Sequence, residues 1–78
     1  MSNTFIGIPQ IEASASYLLG LPCKAAFEET AAGTEIHFRA GGLRCNVLLD
    51  HSALTLRMDQ FSDRYVKPAV HTMIGRMQ

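Results

Sequence analysis

The chain has 78 residues, of which 47% are hydrophobic and 18% are charged, and its seven basic residues balance seven acidic ones. A neutral chain has no bulk electrostatic attraction to nucleic acid or to an anionic membrane. No run approaches the roughly 18–20 apolar residues that a membrane-spanning helix needs, and no Lys or Arg precedes the short apolar stretch at the N-terminus. These features predict a small globular protein in the cytoplasm, without a secretory signal or a membrane partner.

The chain begins with a short leading segment followed by a helix. Residues 1–8 are small and mixed, and they predict a flexible arm or a short edge strand. Pro9 favours a first-turn position and Gly20 favours a left-handed C-cap, so we expect a helix over about 9–19. The apolar stripe of this helix consists of Ile8, Ile11, Ala15 and Leu18. Residues 9–78 are predicted to form one α+β domain.

The strongest local pattern is a β-hairpin folded about Gly41 and Gly42. Tight hairpin turns need positive φ, which glycine adopts without steric cost. This turn brings apolar residues together on one face: Phe38 opposite Cys45 and Ile36 opposite Val47. It brings polar residues together on the other face: Arg39 opposite Arg44 and His37 opposite Asn46. A slip by one residue would turn an apolar set outward, so the sequence determines this register well.

Two alternating segments flank the hairpin and predict a four-stranded antiparallel meander. Lys24–Thr30 is expected to fold back across 31–34, and a connection over 50–53 is expected to place residues 54–59 beside the hairpin. The first of these registers gives the pairs Phe27 with Phe38 and Glu28 with His37. The second gives the pairs Val47 with Leu56, Cys45 with Met58, Asn46 with Arg57 and Arg44 with Asp59.

The C-terminal part switches from alternation to helical spacing. One side of this helix is apolar and consists of Val66, Ala69, Val70, Met73, Ile74 and Met77. Ser62 is a suitable N-cap, but Pro68 lies too deep for a first-turn position, so the helix either kinks there or begins near Pro68. The predicted fold is a two-layer α+β domain of order α-β-β-β-β-α, with both helices on the apolar face of the sheet.

The polar face of this predicted sheet is the candidate binding site. Its members are His37, Arg39, Arg44, Asn46, Arg57 and Asp59. Planar arginine side chains recognise carboxylates and phosphates through paired hydrogen bonds. The alternative interpretation is an ordinary solvated face, in which Asp59 and Glu28 offset the repulsion between Arg39 and Arg44.

Catalytic, metal and cofactor sites find little support in the sequence. Glu28 could orient His37 as a general base, but no serine or cysteine lies beside this pair as a nucleophile. Cys23 and Cys45 are predicted to lie too far apart for a disulfide, and the three histidines lack paired spacing with either cysteine. We therefore expect no enzyme activity, no metal and no cofactor.

The sequence thus predicts a non-catalytic protein-binding module: a small regulator, inhibitor or adaptor that binds another protein stoichiometrically. Its size is typical of the small regulators of bacteria and their phages. Two alternatives remain open at this point. One is binding of nucleic acid or another polyanion through Arg39, Arg44 and Arg57. The other is a structural homodimer formed through an edge strand or an exposed helix.

Overall fold

The computed structural model describes residues 6–77, in which a three-stranded antiparallel sheet packs against an N-terminal and a C-terminal helix. Helix α1 spans Ile8–Leu19, and the strands are β1 (Lys24–Thr30), β2 (Gly33–Ala40) and β3 (Leu43–Leu48). A 3₁₀ turn at Ala53–Thr55 leads into the C-terminal helix, which comprises α2 (Met58–Phe61), a π-helical segment (Ser62–Val66) and α3 (Lys67–Met77). The α+β class and the two terminal helices are confirmed, whereas the prediction of four strands is wrong.

The start of the described chain leads directly into α1. Ile6 is buried and Gly7 is the N-cap, so no strand forms at 6–8, while the rest of the leading-segment prediction lies outside the described residues. The side chain of Gln10 accepts a hydrogen bond from the Gly7 N–H at 2.6 Å. Gly20 takes φ 81° and its N–H donates to the Ser16 carbonyl oxygen at 2.9 Å, which confirms the predicted helix end.

The β2–β3 hairpin has the predicted register. Phe38 lies opposite Cys45, Arg39 lies opposite Arg44, and the turn residues are Gly41 and Gly42. Of these two glycines, only Gly41 takes a positive φ, 62°, and it supplies the left-handed conformation that the turn needs. The alternation of the two strands therefore separates an apolar face from a polar face as the sequence predicts.

The predicted register between β1 and β2 is wrong by two residues. The turn contains only Ala31 and Ala32, and the Thr30 hydroxyl closes it by donating to the Gly33 carbonyl at 2.8 Å. A shift by an even number keeps every side chain on its predicted face, because strand side chains alternate with a period of two. The cross-strand partners change, however, and the observed pairs include Lys24–Arg39, Ala26–His37, Phe27–Ile36 and Glu28–Glu35.

The predicted fourth strand is instead a turn followed by the start of a helix. Successive local hydrogen bonds, such as Leu56 N–H to the Ala53 carbonyl at 3.2 Å, curl this segment away from the sheet. The physical reason is that Met58 continues the helical spacing of Phe61 and Tyr65, which overrides the short alternating pattern before it. The predictions that place Arg57 and Asp59 on the sheet are therefore wrong, since both lie at the start of the C-terminal helix.

The C-terminal helix begins at Met58, so both predicted starting points are wrong. Pro68 lacks an N–H and its ring would crowd the carbonyl four residues earlier. The π-helical segment accommodates this proline, because the Lys67 N–H donates to the Ser62 carbonyl five residues back. The helix passes Pro68 without ending. The Ser62 hydroxyl also lies 2.9 Å from the Ser14 hydroxyl, which joins the two helices.

Both helices pack on one side of the sheet, which we call the inner face, and the opposite side is the outer face. The largest fully buried side chains are shared between helices and sheet: Ile11, Ile36, Phe38, Phe61, Val66 and Met73. Burying side chains of this size stabilises the fold by about 1.5–3 kcal/mol each. None of the helices within residues 6–77 covers the outer face, so its side chains remain open to solvent.

Candidate binding face

The outer face carries its side chains in three rows that run across the strands, because directly opposite residues point to the same side of a sheet. At one end lies the cationic row, Lys24, Arg39 and Arg44. The middle row consists of Ala26, His37 and Asn46. At the other end lies the acidic row, Glu28, Glu35 and Leu48. The face therefore separates positive charge from negative charge along the strand direction.

The acidic row has a hydrogen-bonding partner within its own chain. The His37 Nε2 atom lies 3.0 Å from a Glu35 oxygen and 3.2 Å from a Glu28 oxygen. A proton on Nε2 can thus be donated to either carboxylate, which offsets the repulsion between two glutamates on opposite strands. The structure brings Glu28 and His37 together, as the sequence suggests, but the contact is diagonal because Glu28 pairs with Glu35.

The cationic row has no such partner. Among residues 6–77, no ion pair joins Lys24, Arg39 or Arg44 to a carboxylate, and all three are exposed. Arg76 approaches the same corner from α3 and donates a hydrogen bond to the Arg44 carbonyl oxygen. Like charges on directly opposite positions repel each other, so this arrangement is unfavourable in the free protein.

A shallow depression connects the cationic row with the middle row. Its lining includes Lys24, Ala26, His37, Arg39, Arg44 and Arg76. The small Ala26 side chain leaves space between the longer side chains around it. An anionic group that entered this depression would meet hydrogen-bond donors from several directions, which is the arrangement that recognises a carboxylate or a phosphate.

Four of the six predicted site residues share the outer face, namely His37, Arg39, Arg44 and Asn46. The other two form a separate exposed pair at the start of the C-terminal helix, where the Arg57 Nε atom lies 3.6 Å from an Asp59 oxygen. The sequence interpretation missed Lys24 and Arg76. A two-residue turn, the commonest hairpin connection, would have placed Lys24 opposite Arg39. Arg76 gave no sequence signal, because its position depends on how α3 lies against β3.

The two cysteines lie on the inner side of the sheet as free thiols. Cys23 is buried and Cys45 is half-buried. Burial raises the pKa of the Cys23 thiol above its usual value of 9.0, and this effect exceeds the opposing hydrogen bond from the Arg39 backbone. The Cys23 thiol therefore stays protonated at neutral pH and is a poor nucleophile.

Two further observations concern the whole described chain. No group of three or more His, Cys, Asp or Glu residues within 6–77 is arranged to hold a metal ion. No helix in that range has the length and apolar character needed to cross a membrane.

Comparisons of the chain with protein-family models, curated proteins and solved structures give no match.

Proposed function

We propose that this protein is a non-catalytic binding module whose cationic row receives an acidic segment of another protein. It acts by stoichiometric binding, as a small regulator, inhibitor or adaptor. The observation that carries this proposal is the row of Lys24, Arg39 and Arg44, three adjacent cations without an ion pair to any described residue. A bound carboxylate would supply the missing counter-charge.

The energetics favour an acidic ligand at this row for two reasons. Binding forms charge-assisted hydrogen bonds, which are shorter and stronger than neutral ones. It also relieves the repulsion that the row carries in the free protein. Each exposed ion pair contributes only about 0.2–1 kcal/mol, so specificity needs several such contacts together with the shape of the depression.

A protein partner fits this face better than a long polyanion does. Glu28 and Lys24 lie four residues apart on β1, which corresponds to about 13 Å along the strand. A nucleic-acid strand that followed β1 would therefore leave the cations and meet Glu28 and Glu35. A protein surface can place acidic groups at one end and basic or neutral groups at the other, matching both rows.

The test uses a fluorescein-labelled hexaglutamate peptide, titrated with the protein at low salt and followed by fluorescence anisotropy. The double variant Arg39→Ala with Arg44→Ala should bind about tenfold more weakly, because it removes two of the three outer-face cations. The matched control is Arg57→Ala with Arg64→Ala, which removes the same charge from exposed positions on the C-terminal helix. Its affinity should stay close to that of the wild type.

Equal losses in the two double variants would refute the proposal, since only net charge would then matter. A labelled oligodeoxythymidine strand provides the second comparison. The proposal expects it to bind more weakly than the peptide. Tighter binding of the strand, with a steep decrease as salt increases, would favour the polyanion alternative instead.

A further inference from the structure

The outer face is complementary to itself, and from this we infer that a second copy of the chain can occupy it. The cationic and acidic rows lie on either side of the middle row, at equal numbers of residues along each strand. The two copies are related by a two-fold axis that lies parallel to the outer face, perpendicular to the strands and level with the middle row. Rotation by 180° about this axis stacks the two outer faces and places the cationic row of one copy over the acidic row of the other.

The strands determine which residues meet in such a dimer. Each strand lies over the same strand of the second copy, running in the opposite direction. Lys24 then faces Glu28 of the second copy and Arg39 faces Glu35, while Arg44 faces Leu48. Symmetry repeats each of these contacts. An axis parallel to the strands would instead place like rows over each other, so charge repulsion excludes it.

The arrangement agrees with the general geometry of packed sheets. Two sheets stack about 10 Å apart with their strands within about 30° of each other. Long lysine, arginine and glutamate side chains can span this separation. The formal net charge of zero also means that two copies do not repel each other at long range.

This self-association must be weak. The face is only three strands wide, and it is lined by charged side chains that must lose water on contact. Such an interface belongs to the small class that buries less than about 1,200 Å² in total. A dissociation constant on the order of 100 µM is therefore expected at low salt.

The inference rests on the proposed function, since it concerns the same face. It adds that self-association regulates binding of the acidic partner. The dimer would place Glu28 and Glu35 of the second copy over Lys24 and Arg39. An acidic partner and a second copy would then compete for Lys24 and Arg39. High protein concentration would reduce binding of the acidic partner, and the partner would dissociate the dimer.

The inference is tested by exchanging the charges at positions 35 and 39 and measuring self-association by sedimentation velocity at low salt. Arg39→Glu and Glu35→Arg should each weaken self-association at least tenfold, because each places like charges over each other twice. Both variants should fold, since each replaces a row of like charges with a row of mixed charge. Combining the two substitutions in one chain should restore the dimer, and so should mixing the two single variants.

The controls Arg64→Glu and Glu29→Arg produce the same changes in net charge away from the two rows, and they should self-associate like the wild type. The inference is overturned if the wild type stays monomeric up to millimolar concentration. It is also overturned if the exchanged double variant remains a monomer. Hexaglutamate binding to the dilute monomer would still support the proposed function in those cases, so the two failures are distinguishable.

Discussion

At one end of the outer face Glu28 lies opposite Glu35, and at the other end Lys24, Arg39 and Arg44 form a row of three cations. Both ends therefore place like charges on opposite strands, which is unfavourable in isolation. The acidic end offsets this with His37, whose Nε2 atom contacts both carboxylates. The cationic end contains no equivalent group among the described residues.

The difference shows which end of the face is complete within the chain itself. A sequence that specifies a fold usually satisfies charges and hydrogen bonds locally, and departures from this rule are concentrated at functional sites. By this criterion the charges of the acidic end are offset within the chain, whereas the cationic end has no ion-pair partner among residues 6–77. The alternative in which Asp59 and Glu28 offset the repulsion between Arg39 and Arg44 does not match the observed ion pairs, because Asp59 contacts Arg57 and Glu28 contacts His37.

The largest effect on stability is expected at the acidic end. His37→Thr keeps a residue that favours strands but removes the donor between the two glutamates, so it should lower the free energy of unfolding by about 1 kcal/mol. Equilibrium urea denaturation measures this change. The control is Asn46→Thr in the same row, which should change stability by less than about 0.5 kcal/mol. Equal effects of the two substitutions would contradict the role assigned to His37.

A smaller effect of opposite sign is expected at the cationic end. Arg39→Thr removes the central cation of its row, so it should raise the free energy of unfolding by up to about 0.5 kcal/mol. The same urea experiment measures it, and the gain should disappear in 1 M salt, because salt screens exposed charges. A clear loss of stability at low salt would show that Arg39 already has a stabilising partner within the chain.

The elements with strong local signals were predictable from the sequence. Helix α1 follows from Pro9, its apolar stripe and Gly20, and the β2–β3 register follows from two glycines between alternating strands. In each case the turn chemistry and the hydrophobic period indicate the same structure. Four members of the candidate site, on β2 and β3, were placed correctly on one face for this reason.

The predictions are wrong where the sequence fits both a strand period and a helix period, or both a shorter and a longer turn. Residues 54–59 alternate over a short stretch, but packing of Met58 with the C-terminal helix stripe decides the structure, which removes Arg57 and Asp59 from the site. A turn of two residues rather than four shifts β1 and brings Lys24 into the cationic row. Arg76 joins this corner through tertiary packing, which local patterns do not contain.

The most direct test of the account is the affinity of the labelled hexaglutamate peptide for Arg39→Thr at low salt, measured beside its stability. The account predicts about threefold to fivefold weaker binding by a protein that is at least as stable as the wild type, because Arg39 repels its neighbours and attracts the ligand. Unchanged affinity in the folded variant would contradict the claim that the cationic row is the binding site.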